Sequence, residues 1–163
     1  MLATTLRHLA LGLLLAACSR VDVLLVDGLR GGLTEGEAIS RLKVAPGAVH
    51  VVFQTFLPKG DPRPPNSERE IAASANCLGQ ASEVHLSFIN NQLMQVTCYS
   101  QNPGAAVQAL VKDGRLKKPD KEFDVTEGGT RIQGENEYDK RWRVTFTSVS
   151  LSNKQRDWVS KYS

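Results

Sequence analysis

The sequence predicts an α+β fold: a mostly antiparallel sheet with helices packed on one face, in a single domain behind an N-terminal leader. Three observations lead there. Residues 83–99 alternate apolar and polar side chains around Asn90-Asn91, residues 141–150 alternate again, and a helix-start signal precedes each of these stretches, at Thr34 and at Pro103. Strands grouped in this way argue against a doubly wound parallel sheet. A chain of 163 residues, less its leader, is the usual size of one domain with a real core.

The first helix begins at Thr34-Glu35-Gly36-Glu37. The threonine hydroxyl can cap the third amide on while Glu37 reaches back, with Leu33 and Ala38 placed as a hydrophobic staple. Ala38, Ile39 and Leu42 share one face, and Pro46-Gly47 ends the helix. Residues 48–56 then read as a strand. Val49, Val51 and Phe53 alternate with His50, Val52 and Gln54, and because both faces are fairly apolar the strand is expected to be central.

Four prolines, Pro58, Pro62, Pro64 and Pro65, cannot donate to a ladder, so residues 57–66 form an extended exposed loop and the best candidate for a mobile one. Ser67-Glu68-Arg69-Glu70 has the capping-box pattern, which predicts a short helix over residues 71–75. Residues 83–89 and 92–99 form a hairpin, with Val84, Leu86 and Phe88 on one side and Glu83, His85 and Ser87 on a wet side.

A helix over residues 103–112 follows, burying Ala106, Leu110 and Val111. Beyond a charged turn-rich stretch, residues 123–133 give one or two weak strands around Gly128-Gly129. Trp142, Val144 and Phe146 then share one strand face, and Ser152 with Gln155 starts a final helix that turns Leu151, Trp158 and Tyr162 to the sheet. Helix followed by strands thus occurs twice, but the halves share too few identities to define a repeat.

The leader has a short basic region at Arg7-His8, an apolar stretch at residues 9–15 and small residues Ala16-Ala17, the layout of a secretory signal. The apolar stretch falls well short of the roughly 20 residues a spanning helix needs. Leu15-Ala16-Ala17-Cys18 resembles the lipobox of bacterial lipoproteins. That resemblance implies signal peptidase II recognition of Leu15, Ala16 and Ala17, a signal peptide over residues 1–17, and a covalent diacylglycerol and N-acyl chain on Cys18. No other cofactor is expected. A plain signal peptide with a chance cysteine is the alternative.

Ser19 after the acceptor implies sorting to the outer membrane, facing the periplasm, with the outer leaflet of the inner membrane as the alternative. Residues 18–32 are assigned to the lipidated N-terminus and a short tether, and residues 33–163 to the domain. Val21, Val23, Leu24, Leu25 and Val26 make this tether unusually apolar. If folding begins near Val23, the free linker 19–22 reaches at most about 14 Å.

In an exported chain, the remaining Cys77 and Cys98 pair most economically as a disulfide; a free thiol or metal-ligand pair is the rival. Closing a loop of about 20 residues restricts the unfolded chain by roughly 3 kcal/mol.

Residues 30–35, Arg-Gly-Gly-Leu-Thr-Glu, followed by Glu37-Ala38 and Leu42, resemble the glycine, hydrophobe, threonine and helix pattern of the BamE/SmpA small outer-membrane lipoproteins. Residues 84–93 resemble a strand and turn of the same fold. With the lipobox this covers about a third of the chain. The helix end at residues 42–46 lacks that family's Leu-Gly, and the chain continues past its small domain. The resemblance implies an envelope lipoprotein of helix and sheet and transfers no binding site.

Motifs for chemistry are sparse. The mature chain holds His50 and His85, both placed on strands, without a zinc-binding spacing; a metal site would need them to meet on adjacent strands. No nucleophile elbow occurs, the pairs Glu68/Glu70 and Glu135/Glu137 read as solvated, and Gly28, Gly31 and Gly32 lack the spacing of a phosphate loop. Lys112, Arg115, Lys117, Lys118 and Lys121 form the densest basic run, read as a solvated loop or a surface for acidic envelope components. Trp142 and Trp158 read as core residues rather than exposed partner anchors.

A net charge of +3 argues against a nucleic-acid protein. The expectation is a non-enzymatic protein-interaction or envelope-assembly module whose partner is an envelope or periplasmic protein. The alternative is an inhibitor or immunity lipoprotein that blocks a periplasmic toxin or cell-wall hydrolase. An unassigned hydrolase is the third reading.

Overall fold

The structure is a computed structural model that describes residues 23–137 and 141–163. The lipobox residues Leu15, Ala16, Ala17 and Cys18 lie outside the described residues. The rest is a single α+β domain in which every ladder is antiparallel.

A small hairpin, β1 (Leu24–Val26) and β2 (Leu29–Arg30), precedes helix α1 (Glu35–Leu42). Four strands follow, β3 (His50–Phe56), β4 (Ser67–Cys77), β5 (Gln80–Ile89) and β6 (Gln92–Ser100). Helix α2 (Pro103–Lys112), three more strands, β7 (Phe123–Glu127), β8 (Thr130–Asn136) and β9 (Trp142–Ser148), and helix α3 (Val149–Tyr162) complete the order. The main sheet runs β3-β4-β5-β6-β9-β8-β7.

Local signals account for much of this. Thr34 caps α1 in a full capping box with Glu37, and Asn102 accepts from Ala105 N–H to cap α2, where proline occupies the first turn. Asn90 and Asn91 take left-handed φ of 48° and 59° in the tight turn joining β5 and β6. Their side chains also work at a distance. Asn90 Oδ1 accepts from Ser67 N–H at 2.9 Å and Asn91 Oδ1 from Glu35 N–H at 3.3 Å, tying the turn to β4 and α1.

One sheet face is apolar. Ile71, Val84, Leu86, Phe88, Val96, Val144 and Phe146 form a continuous core with Ala38 of α1 and with Ala106, Val107 and Leu110 of α2. Val107 is a core residue that the reading of the α2 face did not include, whereas Val111 is only partly buried against the cluster.

Five expectations are corrected. The tether assigned to residues 18–32 is folded from Val23 onward, with Leu25, Val26 and Leu29 in the core. Arg115 donates to the Leu25 carbonyl, Thr130 Oγ1 donates to the Leu24 carbonyl at 2.8 Å, and Gly31 N–H donates to the Val23 carbonyl at 2.8 Å. Gly129, at φ 84°, lies so close to the hairpin that a Cβ there would stand 2.9 Å from Val23 Cγ1.

The strand expected to be central, β3, is an edge, exposed along its whole length. Its two apolar faces signal exposure on both sides rather than burial. The helix expected over residues 71–75 is part of the eleven-residue strand β4. There Ser67 begins a ladder between β3 and β5 instead of capping, because pairing on two sides outweighs a local cap.

The last helix is capped by Ser148, whose hydroxyl accepts from Leu151 N–H, and not by Ser152, which lies inside it. Nor do all helices share one face: α3 contributes no described residue to the core cluster, and its Gln155 hydrogen-bonds Glu68 on the opposite face. Trp158 accordingly packs on the proline-rich loop, donating to the Pro64 carbonyl at 3.1 Å, while Trp142 is buried in the core and donates to the Lys121 carbonyl at 2.8 Å. Arg63 lies over the Trp158 ring and donates to the Tyr162 carbonyl, so the loop is fastened to α3.

Cys77 and Cys98 are joined across the intervening β5, with Cα atoms 6.2 Å apart and a sequence separation of 21. Peptide mapping without reductant is expected to recover the two cysteines in one linked pair. Replacing both by serine is expected to lower the unfolding free energy by about 3 kcal/mol in urea titrations; recovery of both as free thiols from the exported protein would contradict the bond.

Candidate functional site

Because strand side chains alternate, the register that buries Leu86 and Val96 sends Glu70, His85, Tyr99 and Arg143 to the other face. There they join in a chain of polar contacts. His85 Nδ1 lies 2.7 Å from Glu70 Oε1 and Nε2 lies 2.8 Å from Glu83 Oε1. Both carboxylates accept, so both bonds are complete when each ring nitrogen carries a proton.

The His85 ring meets Tyr99 edge-on at 5.1 Å, and the Arg141 guanidinium lies over Tyr99 at 4.3 Å while contacting Glu83 at 3.2 Å. Tyr99 donates to Glu137 at 3.3 Å. Arg143 then pairs with both Glu137 and Glu135. The contacts therefore run from β4 across β5, β6 and β9 to β8. Beyond them Arg131 pairs with Asp124 of the edge strand β7.

The electrostatics follow from these contacts. The hydrogen bond from His85 holds the Glu83 carboxyl below its ordinary value of 4.5, and the hydrogen bond from Arg131 lowers Asp124. Burial raises the Tyr99 phenol. Away from the network, Arg63 holds Asp61 at about 2.

At the end of the sheet the network borders an open groove of about 1270 Å³. Arg41 and Lys43 from the end of α1 line it, Glu83, Tyr99 and Arg141 extend the network into it, and Ser74 and Asn76 of β4 contribute neutral hydrogen-bonding groups. Lys43 is positioned by its left-handed C-cap conformation, φ 57°. This arrangement can hold carboxylates against its cations and hydrogen-bond a polar chain.

The structure rearranges several sequence candidates. His50 and His85 are not on adjacent strands: Ala72 of β4 stands between them in register. Among the described residues no group of three His, Cys, Asp or Glu side chains is placed to hold a metal ion. Glu68, Glu70, Glu135 and Glu137, read as solvated, bind Gln155, His85 and Arg143 instead. Within the basic run, Arg115 is half-buried over Phe146 and burial lowers its pKa, while Lys112, Lys117, Lys118 and Lys121 are exposed.

Arg41, Lys43, Tyr99 and Arg141 were not singled out by sequence reasoning. The i, i+2 spacing of Glu68 with Glu70 and of Arg141 with Arg143 carried a signal for the network, since strand pleating sends such pairs to one face. Nothing local announced the groove. No protein-family model matches the chain, and no curated protein matches it.

Glu83 is depressed in the folded state, so its contribution is present above the ordinary value of 4.5 and is lost as pH falls through the lower folded value. Glu83→Gln is expected to cost less than about 1 kcal/mol near neutral pH, since the side chain is half exposed, and to match wild type in strong acid. Urea unfolding at several pH values measures the difference; a constant gap from neutral to strongly acidic pH would contradict the linkage.

Proposed function

We propose that the chain is an outer-membrane lipoprotein, anchored by acyl chains on Cys18 and facing the periplasm, that acts without catalysis as a protein-interaction or envelope-assembly module. The observation that carries this reading is the groove beside the ionic network. At about 1270 Å³ it exceeds the range of about 300–1,000 Å³ usual for small-molecule pockets, which suits a macromolecular segment. Arg41 and Lys43 suit an acidic segment of an envelope protein, and Glu83, Tyr99 and Arg141 of the paired network give a preorganised, charge-patterned wall.

Anchoring supplies the mechanism. Confinement to a thin layer raises the effective concentration toward membrane-bound partners without any new contact. More than one acyl chain on Cys18 makes the attachment stable. The lipobox carries the localisation, and the resemblance to the BamE/SmpA lipoproteins supports the class. The inhibitor reading draws on one observation: the proline-rich loop is fastened by Arg63 and Trp158, and a preorganised loop suits insertion into a hydrolase cleft.

Cys18→Ala is expected to move the protein from the membrane to the soluble fraction. Retention in washed outer membranes would contradict the anchor. Co-purification from native membranes with the Arg41→Glu/Lys43→Glu variant is expected to lose a partner that wild type retains. An envelope-complex protein supports the assembly reading, and a single secreted hydrolase the inhibitor reading.

A further inference from the structure

The two edges of the main sheet are built differently. At β7 the five residues include Asp124 and Glu127, and charges on an edge discourage pairing with another chain. At β3 the seven residues contain no Asp, Glu, Lys or Arg and no proline. All seven are exposed, among them Val51 (50 %), Val52 (48 %), Phe53 (48 %) and Phe56 (68 %). Among the described residues β3 pairs only with β4, which leaves the backbone groups of its other side available.

The geometry points to β3 as a self-association edge, which pairs antiparallel with β3 of a second copy about a two-fold axis and joins the two sheets into one. Charge selects this occupant. A strand without formal charge sets no like charges against itself, whereas pairing β3 with a β7 edge would bury apolar residues against Asp124 and Glu127. Symmetry agrees: β3 against β3 closes after two copies, while β3 against β7 is head-to-tail and open-ended.

The nearest acids do not oppose the closed pair. Glu68 and Glu70 lie one strand inward, engaged by Gln155 and His85, and three strand spacings set each at least about 14 Å from its counterpart, beyond the screening length of about 8 Å. Pairing also covers Val51 and Phe56 on one face and Phe53 on the other with the same side chains of the second copy.

Sedimentation equilibrium of the full chain in mild detergent, across a dilution series, tests this inference. Wild type is expected to approach twice the chain mass at high concentration, and Phe53→Lys or Val52→Lys to remain at the single-chain mass. Both residues are half exposed, and a single cooperative thermal transition with an intact Cys77–Cys98 bond, matching dilute wild type, confirms that each variant folds. Thr126→Lys, on the opposite edge, is expected to dimerise as wild type does.

A wild-type chain at single mass throughout, a Phe53→Lys dimer, or a Thr126→Lys monomer overturns the inference. So does loss of a co-purified protein from a Phe53→Lys variant whose mass matches that of wild type, which assigns the strand to a partner. The Arg41→Glu/Lys43→Glu variant separates this edge from the groove, because it is expected to keep the wild-type mass.

Discussion

The pairing of β6 with β9 is the constraint on which the other features depend. Each remaining ladder of the main sheet joins consecutive strands, whereas this one brings residues 95–100 against 142–147. Its cost in loop closure is the largest in the sheet, and its return is the continuity of the core. Val96 opposes Phe146 and Cys98 opposes Val144 on the buried side. Without it, two helix-plus-meander units would each expose an apolar face. On the polar side the same register brings Tyr99 beside Arg143 and completes the ionic chain.

The parts legible in the sequence are those whose cause is local. The Thr34 and Glu37 capping box, the Asn90-Asn91 turn, the α2 start at Pro103 and the alternation from Trp142 onward each rest on a few neighbouring residues. The misread parts depend on what lies beside them. Ser67 and Glu70 carry a helix-start pattern, yet β3 and β5 on either side hold that segment extended. Val51 and Phe53 read as buried because an apolar strand is ordinarily covered, and sequence does not tell a covered face from an edge.

The polar site shows the same division. Strand parity placed Glu83 and His85 on the wet face, but their link to Arg141 and Glu137 requires the strand order β5-β6-β9-β8, which alternation does not encode. Arg115 differs in kind. It belongs to a run of cations that reads as solvated, and it became structural because the β1 carbonyls needed a donor and Phe146 offered a ring face.

The N-terminal hairpin determines how the domain bears mechanical tension. A pull on Val23 does not peel an edge of the main sheet. It loads β1, which touches β6 and β9 and is held by Arg115, Thr130 and Gly31, so the force enters at the middle strands. There several bonds resist together, across the junction of the two meanders. A domain towed from this end transmits strain to its centre, and through Asp27, which accepts from Leu78 N–H at 2.7 Å, to the wall of the groove, while β3 lies at the far edge of the sheet.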